Sequence, residues 1–442
     1  MKFHVLIVIF CVVLFIDTQA QNHKYELWKS PSFFRGFNVL PNAGHQVKDY
    51  MDLKATGANL AQLGIDGFNY VDPPYDLNND AIIITDKMVA FCDSAGIYYT
   101  ISVRSGPGRR DVWAETEGGA PKSTIWKNKG EQKKYAQMLK EIVNRYEDDS
   151  LFVGIGLIVE PNPLFDQLSI NAQMLKTNLE NESIDFKEIN QLFIDEVRRA
   201  DKEIPIIVQN FQYSCPEFFA ITDTFSDKYI VYEFHSYRPV GYVKNDKPYS
   251  VNYPGNYFSI NDFGFRDFDK NFFINNVFKY VDSVQKATYK PVLLGEFGLL
   301  NEQVGGTIFL NDMYEICIEK GWHFALWLFR GGGNGGFDYE SKKPEYWTTV
   351  LNMFRYTGLK DENTSANDNI LVCPNPSEDY IYLRFSDNYF SEIIEIYSVL
   401  GVKMKSIIFE NKDNQKIYVG DLPAGIYFIQ KGNASEIFLL IH

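Results

Sequence analysis

The sequence predicts a (β/α)8 barrel followed by a small C-terminal antiparallel β-sandwich. Three observations predict it. Between about residues 32 and 356, eight short apolar runs alternate with amphipathic stretches, the pattern of repeated strand–helix units around a parallel sheet. From residue 370 onward, short alternating runs return without helices between them. Two glutamates, Glu160 and Glu296, each stand directly after an apolar run, at the end of a strand where such a barrel carries its chemistry.

The first twenty residues read as a secretory leader: Lys2, the apolar stretch Val5 to Ile16, and a small residue, Ala20, before Gln21. Val5 to Ile16 is too short to span a bilayer, and no later run reaches the roughly 20 apolar residues that a transmembrane helix needs. The barrel is expected over residues 21–358. Its strands are expected at Phe33 to Val39, Asn59 to Gly64, Tyr98 to Val103, Val153 to Val159, Pro205 to Val208, Tyr229 to Phe234, Pro291 to Gly295 and Phe324 to Leu328. Helices with apolar residues at three- and four-residue spacing are expected at Gln132 to Tyr146, Phe186 to Ala200, Phe272 to Val284, Ile308 to Lys320 and Trp347 to Phe354. A polar linker is expected at 359–369 and the sandwich at 370–442. The sandwich strands are expected at Tyr380 to Phe385, Ile393 to Tyr397, Lys416 to Val419, Ile426 to Gln430 and Glu436 to Ile441.

Composition narrows the function. The 442 residues carry 43 basic and 57 acidic side chains, a formal charge of -14, which argues against nucleic acid or an anionic membrane as partner. With 28 Tyr, 35 Phe and 6 Trp, the chain offers flat surfaces to a neutral ligand instead. Cys11 belongs to the leader; Cys92, Cys215, Cys317 and Cys373 are widely spaced without a Cys-x-x-Cys pair, so they read as buried thiols rather than a zinc site. No metal and no cofactor are expected.

Glu160 and Glu296 end the fourth and seventh predicted strands. A lone glutamate in such a place fits an ion pair as well as catalysis. Two facing each other across a barrel mouth suit glycoside hydrolysis, where one protonates the leaving oxygen and the other attacks or stabilises the sugar carbon. The sixth strand adds His235 and Tyr237, and the eighth adds Trp327, an aromatic face for a sugar ring, with Arg330 soon after.

Residues 33 to about 356 resemble glycoside hydrolase family 5, the cellulase-type retaining barrels. The resemblance rests on Arg35-Gly36-Phe37-Asn38, Gly57-Ala58-Asn59, Glu160-Pro161, His235-Ser236-Tyr237, Gly295-Glu296-Phe297-Gly298 and Trp327, in that order. It implies that Glu160 is the acid/base and Glu296 the nucleophile, about 5 to 5.5 Å apart. It further implies that His235 and Tyr237 are active-site hydrogen-bonding residues, with Tyr237 near Glu296, and that Trp327 is the platform for the sugar being cleaved; Asn38, Gln62, Arg104 and Arg330 are further candidates for binding substrate. Three positions depart from the family pattern: Val159 where Asn usually precedes the acid/base, Gln62 where the second strand usually carries Arg, and Arg104 where the third usually ends in His. Gln62, Arg104 and Asn162 are candidates for a rearranged polar shell, with a simple ion pair to a local acid as the alternative for Arg104. The long loop from Arg238 to Lys270 holds Tyr242, Tyr249, Tyr253, Tyr257 and Phe258, which either floor sugar subsites or bury one another.

The tail carries Val372-Cys373-Pro374-Asn375-Pro376, Ile396-Tyr397-Ser398-Val399-Leu400-Gly401 and Leu422-Pro423-Ala424-Gly425-Ile426-Tyr427-Phe428. These blocks resemble the type A sorting domain of the type IX secretion system of Bacteroidetes. That implies the secretion machinery as a partner and a secreted or cell-surface destination; a carbohydrate-binding sandwich is the alternative for the same segment. The expected function is a secreted retaining glycosidase cleaving β-glycosidic bonds, with a catalytically weak or inactive glycan-binding barrel as the alternative. Other barrel chemistry is disfavoured, since only six histidines occur and Gly331 to Gly336 reads as a flexible rim rather than a phosphate loop.

Overall fold

The computed structural model describes residues 23–41, 44–116, 118–164, 170–331 and 337–354, and in the tail 370–373, 379–385, 392–398, 402–409, 415–431 and 434–440. The expected leader 1–20, the barrel end at 358, the linker 359–369, the glycines 332–336 and parts of two tail blocks, 374–376 and 399–401, lie outside the described residues. The chain divides into two compact units between residues 355 and 356.

The first unit contains β1 (Arg35–Val39), β2 (Leu60–Ile65), β3 (Tyr98–Val103), β4 (Phe152–Gly156), β5 (Ile206–Gln209), β6 (Ile230–Ser236), β7 (Gly255–Ser259), β8 (Gly264–Phe268), β9 (Val292–Phe297) and β10 (His323–Leu326). Eight of these close into a barrel in the order β1-β10-β9-β6-β5-β4-β3-β2, every pair parallel. Every residue of β1, β2, β4, β5, β6, β9 and β10 is buried, because helices cover the outside while side chains fill the inside. That is why these strands read as continuous apolar runs.

The helix expected at Phe186 to Ala200 occupies Phe186–Ala200, opened by Asp185, whose side chain accepts from the Glu188 N–H. The one expected at Gln132 to Tyr146 begins earlier, at Lys129, because Asn128 caps the N–H groups of Gly130 and Glu131. β4 stops at Gly156 rather than at Val159. Beyond it Leu157 and Val159 still donate to the carbonyls of Ile207 and Val103, and the run ends at Glu160, which stands at φ 47°. The β7–β8 hairpin lies inside the long loop after β6, where alternation is masked by its many aromatics. There Tyr242 and Tyr253 are buried against each other and Phe309, whereas Tyr249 and Phe258 remain exposed, so of the five rings singled out the loop buries two and leaves two to solvent.

The helix His23–Lys29 closes the amino-terminal end of the barrel. Trp28 donates from Nε1 to the Val153 carbonyl at 2.7 Å, and the Tyr25 hydroxyl donates to the Ile230 carbonyl at 3.1 Å. His323 accepts at Nδ1 from the Phe34 N–H at 3.0 Å and donates from Nε2 to the Trp28 carbonyl at 2.7 Å. Burial pushes this imidazole down to about 4, which keeps it neutral in that tautomer.

The second unit has two antiparallel sheets. β11 (Ile370–Cys373), β12 (Tyr380–Phe385) and β15 (Gln415–Tyr418) form one, in the order β11-β12-β15. β13 (Glu392–Ser398), β14 (Lys403–Phe409), β16 (Gly425–Lys431) and β17 (Ala434–Leu440) form the other, in the order β14-β13-β16-β17. Ile381, Leu383, Ile394, Ile396, Ile417, Tyr427, Ile429, Phe438 and Leu440 make its core. The strands β11 and β14 were not expected from the sequence; the lysines of Lys403-Met404-Lys405 hide the strand pattern. Cys92, Cys215 and Cys317 are buried free thiols. Among the described residues, no helix is long and apolar enough to cross a membrane.

Candidate active site

The carboxyl ends of the barrel strands bring together side chains from β2, β3, β4, β6 and β9. At the centre, one carboxylate oxygen each of Glu160 and Glu296 and a ring nitrogen of His235 all lie within 4.8 Å of one another. The Nδ1 of His235 is 2.9 Å from Glu160 Oε1 and 3.6 Å from Glu296 Oε2. The Tyr237 hydroxyl donates to Glu296 Oε2 at 3.0 Å. Arg104 donates from Nη1 to Glu296 Oε1 at 3.4 Å and from Nε to Asp111 Oδ2 at 2.5 Å. Its guanidinium carbon stands 5.5 Å from the centre of the Trp327 ring, which is buried beside the pair.

Glu160 owes its position to neighbours on other strands. Its N–H donates to Gln209 Oε1 at 2.6 Å, and the buried Arg109 donates from Nη2 to the carbonyls of Val159 at 3.0 Å and Glu160 at 3.3 Å. A non-glycine residue at positive φ costs of order 1–3 kcal/mol, and these bonds hold it there. Behind the pair, Glu233 Oε1 accepts from Gln62 Nε2 at 2.7 Å and stands 3.1 Å from His235 Nε2. Asn38 donates to the carbonyls of Gly295 at 2.7 Å and Ala325 at 3.3 Å, bracing β1 against β9 and β10 beneath Glu296.

The electrostatics follow from burial and this crowding. Burial pushes the Glu296 carboxyl up to about 7; His235 and Arg104 oppose the rise, and Glu160 and Glu233 add to it. Burial also acts against the Glu160 anion, but the hydrogen bond and charge of His235, with Arg104 and Lys244, outweigh it and hold that carboxyl below the usual range. Burial opposes charge on His235, yet the surrounding carboxylates raise it to about 10. The two carboxyls titrate as a pair, with burial favouring the proton on Glu296 and His235 favouring the anion at Glu160. Burial, the Tyr237 hydroxyl's acceptor and Glu160 likewise push the Tyr237 phenol well above its usual value, so it remains a donor.

Residues 29–333 match the family described as Cellulase (glycosyl hydrolase family 5). The chain belongs to glycosyl hydrolase family 5. Residues 371–438 match the secretion system C-terminal sorting domain, so this family 5 barrel is followed by a sorting tail. Among curated proteins, the chain is similar to endoglucanase C of Acetivibrio thermocellus, at 21% identity over 240 residues, covering 49% of this chain and 62% of the relative. It is also similar to cellodextrinase A of Ruminococcus flavefaciens, at 23% over 195 residues, covering 42% of this chain and 52% of the relative. The chain thus spans between half and two thirds of the length of these relatives. Among solved structures, a hyperthermophilic endo-β-1,4-glucanase in complex with substrate superposes with a TM-score of 0.55 at 16% identity, covering 74% of this chain and 99% of the other. An endoglucanase of Thermotoga maritima gives 0.54 at 15%, covering 75% and 99%. These superpositions show a shared fold.

Of the residues singled out in the sequence, Glu160, Glu296, His235, Tyr237, Arg104 and Trp327 come together, with Gln62 and Asn38 one layer behind. Arg330 does not join them. Its guanidinium is committed to Asp49 at 2.6 Å, Asp52 at 2.8 Å and Glu340 at 2.7 Å, so the sequence-based substrate contact is corrected to an ion-pair anchor. Asn162 is buried and neither of its side-chain polar atoms has a partner among the described residues. Sequence reasoning missed Arg109, Asp111 and Gln209 as supports of this family 5 site, and it gave Glu233 no role. Glu233 had a signal: in a strand, alternate residues share a face, so Glu233, His235 and Tyr237 belong together.

Proposed function

We propose that this family 5 chain is a secreted retaining glycosidase that cleaves β-linked polysaccharide or oligosaccharide, with Glu296 as nucleophile and Glu160 as acid/base. The observation that carries this reading is the approach of the two carboxylates to within 4.8 Å at the barrel mouth. Double displacement needs a separation of about 5 to 5.5 Å, whereas inversion needs several ångströms more to seat a water.

In the first step Glu296 bonds to the anomeric carbon as the bond to the leaving oxygen breaks, and that oxygen takes the proton of Glu160. In the second step Glu160, now a carboxylate, takes a proton from the water that attacks the same carbon, and Glu296 departs. At rest, burial favours the shared proton on Glu296, the wrong partner for the first step. A glycosidic oxygen gives a proton on Glu160 an acceptor, and positive charge developing at the anomeric carbon favours the Glu296 anion. Substrate thus draws the proton to the side where it is used.

The names of the curated relatives, an endoglucanase and a cellodextrinase, support a β-glucan as substrate. A cleft of about 560 Å3 beside Arg104, lined by Asp66, Tyr70, Ser105, Arg110 and Asp111, offers room for sugars beyond the one cleaved. The sorting tail supports export to the cell surface or beyond. The alternative, glycan binding without turnover, draws support from Val159, whose buried side chain brings no hydrogen bond where the family pattern has an amide. Replacing Glu296 with Gln tests the mechanism: hydrolysis of aryl and natural β-glycosides is expected to fall at least about a thousandfold while folding is kept. Undiminished hydrolysis by that variant removes the mechanism, and binding without product release by the wild type establishes the alternative.

A further inference from the structure

Glu233 is an acidic side chain with no exposed surface, set inside a barrel strand among apolar residues. Such a charge persists only when it is paired and hydrogen-bonded. Its two hydrogen-bonding partners come from two strands and both meet Oε1, while Oε2 has no partner among the described residues. Gln62 on β2 donates to Oε1, His235 on β6 approaches the same oxygen, and Gly295 on β9 leaves the space it occupies. A Cβ at position 295 would lie 1.7 Å from Glu233 Oε1, so only glycine admits this carboxylate.

The ring of His235 has a carboxylate oxygen at hydrogen-bond distance from each nitrogen: Glu160 at 2.9 Å from Nδ1 and Glu233 at 3.1 Å from Nε2. A neutral imidazole has one N–H and could donate to only one of two carboxylates; the imidazolium donates to both. The groups facing this ring are Glu160 beyond β4, Arg104 beyond β3 with its partner Asp111, Glu296 on β9, Tyr237 beyond β6, Glu233 itself, and Lys244, whose Nζ lies 4.6 Å from the Tyr237 ring centre. Counting Glu160, Glu233 and Glu296 against Arg104 and a protonated His235 leaves one negative charge. One further proton neutralises the cluster, and this is the proton that Glu160 and Glu296 share.

We infer that Glu233 is a positioning residue that locks a proton on His235, so that the only proton moving during turnover is the one shared by Glu160 and Glu296. This inference rests on the glycosidase reading for its consequence, but its physical content is the charge state of one imidazole. With Glu233 in place, His235 stays a permanent donor to Glu160 and supports the Glu160 anion that the second step requires. Without it, His235 titrates alongside the pair, and two protons are redistributed where one was.

The test compares the wild-type chain with Glu233→Gln, which preserves shape and an acceptor oxygen while removing the charge. Two readouts are taken: the 15N signals of His235, assigned by their loss in His235→Asn, and the pH profile of kcat/KM on an aryl β-glycoside. In the wild type both ring nitrogens are expected to keep the protonated signature from pH 6 to 8.5. In Glu233→Gln the ring is expected to deprotonate within that range, and the alkaline limb of activity to leave its wild-type position. A wild-type His235 that turns neutral within the range overturns the inference, as does a folded Glu233→Gln chain with both readouts unmoved. If that variant fails to fold, the wild-type titration decides alone. If the wild type hydrolyses nothing, the glycosidase reading falls, while the nitrogen signals still establish or refute the fixed charge on His235.

Discussion

The Arg104 guanidinium stands 3.4 Å from the Glu296 carboxylate, held there by Asp111 at 2.5 Å on its other side. The family pattern leads one to look for an arginine on β2, where this chain has Gln62. The cation beside Glu296 comes instead from the end of β3, and Gln62 turns to Glu233. The departures at positions 62 and 104 are therefore linked: each residue has a definite partner, and the site keeps its positive charge.

Replacing Arg104 with Met removes that charge. Burial raises Glu296 and Arg104 opposes the rise, so removal drives the shared proton to hold on more tightly. The active form carries one proton on the pair, lost on the alkaline side near pH 7. Both limbs of the kcat/KM profile are expected to move upward in pH, by roughly one unit. A profile of unchanged position in the purified variant refutes the electrostatic role of Arg104.

Tyr237→Phe deletes one hydroxyl, the donor to Glu296 Oε2 at 3.0 Å. A hydrogen bond to a charged group is worth roughly 1.5–3 kcal/mol, so kcat/KM is expected to fall about ten- to a hundredfold. Steady-state kinetics with a nitrophenyl glycoside, paired with thermal unfolding to verify the fold, measures it.

Glu160→Ala separates acid from base. Turnover of natural substrates is expected to collapse, while formation of the glycosyl-enzyme from a dinitrophenyl glycoside survives, because that leaving group needs little protonation. Added azide, which needs no general base, is expected to restore the second step and release a glycosyl azide of retained configuration. Inverted product contradicts the double displacement.

Gly295→Ala places a methyl group where Glu233 Oε1 now sits, 1.7 Å away. Overpacking of this sort costs typically 1–3 kcal/mol, read as a lowered Tm. Combined with Glu233→Ala, which clears the space, the two losses are expected to be clearly less than additive. Strict additivity means that the two positions do not meet.

Much of the barrel was legible because its strands are buried on both faces and therefore stand out as apolar runs between amphipathic helices. Glu160 and Glu296 were legible for the same reason, as charges that abruptly end such runs. Arg330 was misleading: it follows the eighth strand as a ligand contact would, but nothing local reveals that Asp49 and Asp52, nearly three hundred residues earlier, claim its guanidinium. For Glu233, strand alternation gave its face beside His235, but its partner Gln62 and the space left by Gly295 lie on two other strands and were not legible. The tail strand β14 was missed because its alternation is inverted: Lys405 shares a face with Ile407, which packs on the core, while Met404 and Ile408 on the other face are exposed.

The helix His23–Lys29 bears on how the chain is born. Trp28 and Tyr25 dock on carbonyls of residues 153 and 230, and the peptide oxygen of Trp28 waits for His323. During synthesis the ribosome delivers those partners late, the last of them, the His323 donor, some three hundred residues after the helix itself. The segment at the head of the barrel therefore lacks the last of its anchors until about three quarters of the chain has been made.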